Sequence, residues 1–152
     1  MSAGIMDTGT SLIYAPREIA NKMAKSMNAQ FVPQVSLYMI DCDNEVPDLE
    51  FIIGGKPITV SGEDLVLQDD SGEYCFFTVS AMNFGEQDLE EVVTLDEQLA
   101  GNVVDQVSKL VGTNALPVPS GMDTWLVGDT FLRQIYSVYD YDNKRFGFAT
   151  LA

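Results

Sequence analysis

The sequence predicts a mainly β domain with a few short helices. Many short apolar runs alternate with turn residues, and a Gly-Gly pair joins two of the alternating runs. Hydrophobic residues make up 46% of the 152 residues and charged residues 20%. This length and composition are typical of one folded domain with its own core, so the chain is treated as a single β-rich unit.

The first elements are predicted to be a strand, a tight turn, a second strand and a helix. Residues 4–14 are largely apolar on both sides of a Thr-Gly turn. In residues 17–27, the apolar side chains Ile19, Met23 and Met27 follow at four-residue spacing. This spacing predicts that the three side chains form the apolar face of a helix.

Hairpins and short strands are predicted for the middle of the chain. Residues 49–53 and 56–60 flank the Gly-Gly pair, which is a strong hairpin signal. Residues 65–67 and 74–79 predict two more strands, and an acidic turn at 69–72 separates them.

A long helix and a closing hairpin are predicted for the last third. Thr94 and Glu97 form a capping box, and apolar residues spaced as on a helical face follow, interrupted by Gly101. Trp125 and the tyrosines at 136–139 are expected in the core. The remaining predicted elements are a strand at 125–127, a short helix or turn at 129–135, and strands at 136–140 and 145–149.

Charge and composition exclude several classes of function. Eight basic residues stand against 23 acidic ones, giving a formal net charge of -15 that repels nucleic acid and anionic membranes. No apolar run approaches the length of a membrane span. The chain has no histidine, which removes Ser-His-Asp and Cys-His catalysis and His-ligated zinc. Carboxylates are therefore the first candidates for any catalysis, and no metal or cofactor is expected.

The turn around Asp7 is the motif that carries chemistry. Asp7 lies in an Asp-Thr-Gly-Thr-Ser run between apolar segments, where Gly9 lets the backbone approach the carboxylate closely. Thr8 and Thr10 supply hydroxyl groups on either side. One such carboxylate is only an acid or an acceptor, whereas two that share a proton can activate a water molecule.

Cys42 and Cys75 are the only cysteines. They show no Cys-x-x-Cys redox spacing, and two thiols do not make a structural zinc site without further ligands. Their spacing leaves two possibilities open: two buried free thiols, or one disulfide that closes a loop of about 34 residues.

Four segments in order resemble the C-terminal lobe of the pepsin-like aspartic proteases (peptidase family A1). Residues 5–12 are similar to the second catalytic motif of that family, and residues 125–133 resemble the segment that lies beneath its catalytic loop. Residues 136–149 resemble the closing hairpin, and the cysteine pair matches the disulfide of that lobe. Together the segments extend across nearly the whole chain, residues 1–152.

The resemblance implies roles for individual residues. Asp7 would be one of two catalytic aspartates, and Cys42 would pair with Cys75. The residues that support the active-site loop would be Thr8, Gly9 and Thr10. The residues that bind the substrate would be Ile5, Gly9 and Ser11. The resemblance also implies a polypeptide substrate and a secretory or acidic, vacuolar or lysosomal-type compartment, in agreement with a disulfide.

The chain also departs from the family pattern. It has no second motif of this type and no evident flap, and only four residues precede Ile5, without a signal peptide. We therefore expect an N-terminally truncated lobe that lacks its N-terminal partner lobe and is inactive alone. Residues 83–114 are expected to be a surface insertion that carries the amphipathic helix.

Two alternatives remain at this stage. In the first, two copies of the chain each supply Asp7 to a homodimeric aspartic protease, which symmetric closure permits. In the second, the lobe is a non-catalytic module that binds peptides.

Overall fold

The structure is a computed structural model that describes residues 3–82, residue 101 and residues 123–151. Within these ranges the chain is built from short strands with short helices between them, as the sequence predicts. The strands are β1 Ala3–Met6, β2 Ile13–Ala15, β3 Gln30–Val32, β4 Leu37–Ile40, β5 Leu49–Ile53, β6 Lys56–Val60, β7 Val66–Gln68, β8 Cys75–Phe77, β9 Val79–Ala81, β10 Thr124–Val127, β11 Ile135–Asp140 and β12 Arg145–Thr150. The helices are α1 Arg17–Ser26, a 3-10 turn Glu63–Leu65 and α2 Asp129–Leu132.

A four-stranded sheet in the order β1-β10-β2-β9 forms the base of the candidate site. Strand β10 pairs with β1 in parallel, with Ile5 opposite Leu126, and with β2 in antiparallel, with Tyr14 opposite Leu126. Strand β2 in turn pairs with β9 in parallel. Strand β10, from the last part of the chain, therefore lies between β1 and β2, the two strands that precede and follow Asp7 in the sequence.

A second sheet, in the order β3-β4-β8-β7, and two hairpins complete the fold. The hairpin predicted at the Gly-Gly pair is confirmed, because β5 and β6 pair with Ile53 opposite Lys56. Gly54 and Gly55 both have positive φ, 58° and 78°, which glycine adopts without the steric cost that a side chain would add. The closing hairpin of β11 and β12 is confirmed as well.

The predicted strand at 74–79 is two strands rather than one. Strand β8 belongs to the second sheet and β9 to the first, and Thr78 lies between them. The Thr78 N–H donates to the carbonyl of Leu65 at 2.9 Å, whereas its carbonyl accepts from the Ile13 N–H at 3.1 Å. Thr78 thus connects the two sheets, which a continuous apolar run did not reveal.

The buried face of α1 is rotated from the predicted one. Ala20 and Ala24 are buried at 0% and 3% exposure, while Ile19 and Met23 are only half-buried. Alanine has the small side chain that allows a helix backbone to approach a neighbouring element closely. Of the predicted set, Met27 is buried at 7% exposure as expected, whereas Ile19 and Met23 flank the contact instead of forming its centre.

The core beneath the first sheet contains an aromatic group. The Phe51 ring packs edge-on against the Phe131 and Trp125 rings, with centroids 5.0 and 5.4 Å apart. Phe131 is fully buried and Trp125 is half-buried. The expectation that the tyrosines at 136–139 lie in the core is wrong for Tyr136, which is 66% exposed.

No helix of the described residues is long and apolar enough to cross a membrane. Gly101 is helical and exposed, and the rest of the predicted helix and of the insertion at 83–114 lies outside the described residues.

Candidate active site

The Asp7 carboxylate is held by hydrogen bonds from its own loop. The Gly9 N–H donates to Asp7 Oδ1 at 2.9 Å, and the Thr10 hydroxyl donates to Asp7 Oδ2 at 2.6 Å. Hydrogen bonds to an ionised carboxylate are shorter and stronger than neutral ones. Each carboxylate oxygen therefore has a donor, and the orientation of the group is fixed within its turn.

The backbone on both sides of Asp7 is anchored to the sheet. The Asp7 N–H donates to the Val127 carbonyl at 3.0 Å, which continues the β1–β10 ladder by one residue. The Thr10 N–H donates to the Asp7 carbonyl at 3.3 Å and closes the turn. Asp7 is therefore the first residue after strand β1, and the pairing of that strand in the sheet determines where the Asp7 carboxylate lies.

Helix α2 begins directly beneath the loop and satisfies the loop carbonyls. The Asp129 N–H donates to the Thr10 carbonyl at 2.7 Å, and the Thr130 N–H donates to the Ser11 carbonyl at 3.0 Å. The Thr130 hydroxyl also donates to the Ser11 carbonyl, at 2.9 Å across 119 residues of sequence. The first N–H groups of a helix have no partner inside the helix, and here the loop provides these partners.

Gly128 permits this close packing. A β-carbon at position 128 would lie 2.1 Å from the Thr10 carbonyl oxygen and 2.5 Å from that of Leu12. The Gly128 N–H also donates to the Leu12 carbonyl at 3.0 Å. Only glycine fits here, since any larger residue would displace the loop that carries Asp7.

The predicted site residues lie together at one end of the first sheet. Thr10 is buried at 8% exposure beneath the carboxylate, while Thr8 and Gly9 are exposed at the tip of the loop. Ile5 is 44% exposed on strand β1, and Ser11 is half-buried. This arrangement leaves the loop tip and one apolar side chain open to a ligand.

Comparison with known proteins identifies the family. The sequence model of eukaryotic aspartyl proteases matches residues 1–151. The chain belongs to this family. Its relatives include Aspartic protease 1 of Toxoplasma gondii, 31% identical over 97% of this chain, and cathepsin D of Clupea harengus, 31% identical over 95%. A gastricsin of Suncus murinus is 30% identical over 97% of the chain.

The chain spans only part of the length of these aspartyl proteases. It covers 23% of the Toxoplasma gondii protein, 29% of the cathepsin D and 30% of the gastricsin. The fold agrees with the β-rich, pepsin-like lobe expected from the sequence.

The disulfide that the resemblance implies is present. Cys42 and Cys75 are bonded, with their α-carbons 5.1 Å apart, and the described residues contain no free cysteine. The bond connects the loop that follows β4 to strand β8. The alternative of two buried free thiols, which the spacing left open, is therefore wrong.

The Asp-Ser-Gly string at residues 70–72 is a turn, as its sequence context predicts. It connects β7 to β8, where the Gly72 N–H donates to the Asp69 carbonyl at 3.0 Å. Among the described residues there is no group of three or more His, Cys, Asp or Glu side chains that could hold a metal ion.

Tyr139, which the sequence analysis placed in the core, is half-buried on strand β11 and packs against Phe146. Its hydroxyl oxygen is buried and has no hydrogen-bond partner among the described residues. Burial, followed by the charges of Tyr141 and Asp7, raises the pKa of Tyr139. The sequence spacing of 132 residues gave no indication that Asp7 contributes to this shift.

Proposed function

We propose that this chain is the C-terminal lobe of an aspartic endopeptidase and that Asp7 is one of its two catalytic aspartates. The observation that carries the proposal is the carboxylate itself, with both oxygens hydrogen-bonded to Gly9 and Thr10 on a loop packed against Gly128. Membership of the aspartyl protease family supports the class of reaction.

The chemistry requires two such carboxylates on one water molecule. When the pair shares one proton, the ionised carboxylate removes a proton from the water as it attacks the peptide carbonyl. The protonated carboxylic acid donates a hydrogen bond or its proton to the carbonyl oxygen. Two like charges so close together do not ionise independently, which favours this reaction at acid pH.

Asp7 provides one half of this pair, so the second carboxylate has to come from a second lobe. The relatives are three to four times longer than the matched segment, which leaves room in them for such a lobe. We propose that Thr8, exposed at the loop tip, contacts this second lobe. The chain alone is then expected to lack peptidase activity.

The substrate is proposed to be a polypeptide bound across the exposed side of the loop. Gly9 and Ser11 offer backbone and hydroxyl groups beside Asp7, and Ile5 offers an apolar surface that is 44% exposed. These groups suit an extended peptide, whose own backbone amides need hydrogen-bond partners.

The proposed compartment is secretory or acidic and vacuolar. The Cys42–Cys75 disulfide supports an oxidising route, since such bonds are rare in reducing compartments.

A chimera tests the proposal. The chain replaces the matching segment of the Clupea harengus cathepsin D, and cleavage of an unfolded protein at acid pH is measured with and without pepstatin. We expect pepstatin-sensitive activity that Asp7→Asn abolishes and that Asp142→Asn, a matched change at an exposed turn, leaves unaltered. Loss of activity with both variants, or with neither, would contradict a catalytic role for Asp7.

The isolated 152-residue chain discriminates the alternatives. Sedimentation as a monomer without peptidase activity is expected. Activity in a dimer that Asp7→Asn abolishes would establish the homodimeric protease instead. An inactive chimera whose binding of peptides is unaffected by Asp7→Asn would establish the non-catalytic lobe.

A further inference from the structure

We propose that the Cys42–Cys75 disulfide is a thiol–disulfide exchange site that selects thiols carrying an ammonium group over anionic thiols. This inference is independent of the proposed peptidase activity, because the disulfide joins the second sheet to the loop after β4, whereas Asp7 lies at the end of a strand of the first sheet.

One side of the disulfide is accessible and the other is not. Cys42 is exposed in the loop after β4, whereas Cys75 is 3% exposed within strand β8. Two open grooves reach the bond. One, of about 630 Å³, is lined by Cys42 without Cys75, and the other, of about 510 Å³, is lined by both cysteines. A small thiol can therefore approach Cys42 while the protein is folded.

The surroundings of the disulfide are acidic. Asp41 and Glu73 line the first groove, and Glu45 and Glu63 line the second. Asp43 follows Cys42 in the loop and is exposed. In the described part of the chain, neither groove is lined by Lys or Arg. An attacking thiolate is negatively charged, so these carboxylates repel it unless it carries its own compensating cation.

The exchange step follows from this geometry. The thiolate of the incoming thiol attacks Cys42 Sγ and forms a mixed disulfide with it, while the Cys42–Cys75 bond breaks and its electron pair leaves on Cys75 Sγ. Cys75 then takes a proton from solvent. A second thiol attacks the sulfur of the bound thiol, which releases a small disulfide and leaves both cysteines reduced.

The loop retains other anchors when the disulfide opens. The Asn44 side-chain amide donates to the Met27 carbonyl at 2.8 Å, and the Gly62 N–H donates to Asp48 Oδ1 at 2.8 Å. Both contacts hold residues that follow Cys42 in the loop, and neither involves sulfur. Exchange is therefore expected in the folded chain, without prior unfolding.

The test compares three thiols on the folded chain: cysteamine, 2-mercaptoethanol and 3-mercaptopropionate. Each initial rate is divided by the rate of the same thiol on a neutral peptide disulfide, which removes differences in intrinsic reactivity. At low ionic strength we expect cysteamine to exceed 3-mercaptopropionate by about tenfold or more, with 2-mercaptoethanol between them. In about 1 M salt, where the Debye length is about 3 Å, the ratio should fall towards one.

Charge-neutralising variants test whether the preference for cysteamine comes from the carboxylates near Cys42. The triple variant Asp41→Asn/Asp43→Asn/Glu45→Gln should lower the cysteamine preference at least threefold or so. The matched triple variant Glu18→Gln/Glu50→Gln/Asp142→Asn removes the same charge at exposed positions elsewhere and should leave the preference unchanged. Mass spectrometry after acid quenching should find the mixed disulfide on Cys42.

Two results would overturn the proposal. One is a normalised ratio within about twofold of one at low salt on the unaltered chain, a measurement that depends on no variant. The other is a rate that does not change with thiol concentration, because the disulfide would then react only after the chain opens.

Discussion

Gly128 packs so closely against Thr10 that a β-carbon on the glycine would lie 2.1 Å from the Thr10 carbonyl oxygen. The two residues are distant in sequence and belong to opposite ends of the chain. Their contact seats helix α2 beneath the loop that carries Asp7, where Asp129 and Thr130 donate to the loop carbonyls. The position of the candidate catalytic carboxylate therefore depends on the last thirty residues as much as on its own motif.

The first prediction concerns Gly128→Ala. The added methyl group has no space without moving backbone, so we expect a loss of roughly 2–4 kcal/mol in the free energy of unfolding. Urea denaturation of the 152-residue chain measures it. Gly101→Ala is the matched control, because Gly101 is helical and exposed. A β-carbon there would meet nothing within 4 Å in the described part of the chain, its own helix backbone aside. Equal effects of the two substitutions would contradict the packing described for Gly128.

The second prediction concerns the hydroxyl of Thr10. Thr10→Val keeps the shape of a side chain that is 8% exposed but removes the donor to Asp7 Oδ2. Loss of a hydrogen bond to a charged group should cost about 1.5–3 kcal/mol at neutral pH. Thr10→Ser retains the hydroxyl, so it should lose much less of the free energy of unfolding than Thr10→Val. If Thr10→Val is as stable as the unaltered chain while Thr10→Ser is destabilised in urea denaturation, the methyl group and not the hydroxyl stabilises the loop.

The local elements of this fold were predictable because their signals are local. The Gly-Gly hairpin and the turn at Asp7 depend on residues next to each other in sequence. The buried face of α1 was not predictable in this way. Apolar spacing favoured Ile19 and Met23, whereas the helix packs closely through its small residues Ala20 and Ala24, which are buried. Small residues carry little hydrophobic signal even when they form the centre of a contact.

The candidate site was predictable only through the family resemblance. Nothing in the spacing of Asp7 and Gly128 indicates that the two segments meet, because parallel pairing of β1 and β10 joins distant parts of the chain. Tyr139 shows the same limitation. Its position in an alternating strand predicts one buried and one exposed face, but not that its hydroxyl is buried without a hydrogen-bond partner in the described part of the chain.

The third prediction concerns removal of the disulfide. In the chain-entropy description, a loop of this length contributes about 3–4 kcal/mol by restricting the unfolded chain. Cys42→Ala/Cys75→Ala should lower the urea midpoint accordingly while β4 and β8 still pair. Adding reductant should shift the midpoint of the unaltered chain and leave that of the double variant unchanged. A double variant as stable as the oxidised chain would show that the bond does not stabilise this fold.

The fourth prediction concerns stability in acid and Asp69, in the turn between β7 and β8. Burial opposes ionisation, but hydrogen bonds from the Ser71 hydroxyl at 2.5 Å and from the N–H groups of Tyr74 and Glu73 at 2.9 and 3.1 Å outweigh it, so the pKa of Asp69 is lowered. A carboxylate with a lowered pKa in the folded state stabilises the fold above its unfolded value of about 3.9. This stabilisation is lost as the pH falls through the lower, folded-state pKa.

Asp69→Asn tests this relation, because asparagine accepts the backbone hydrogen bonds but does not titrate. Urea midpoints of the unaltered chain and the variant are measured from pH 7 to about pH 2. The unaltered chain should be the more stable at pH 7. The difference should shrink as the pH falls below about 4, where Asp69 takes up its proton first in the unfolded chain and, at lower pH, in the folded chain. Asp142→Asn, at an exposed turn, is the matched control and should not alter the pH dependence in this way. A difference that stays constant across the range would mean that the turn is stabilised by the shape of the side chain and not by its charge.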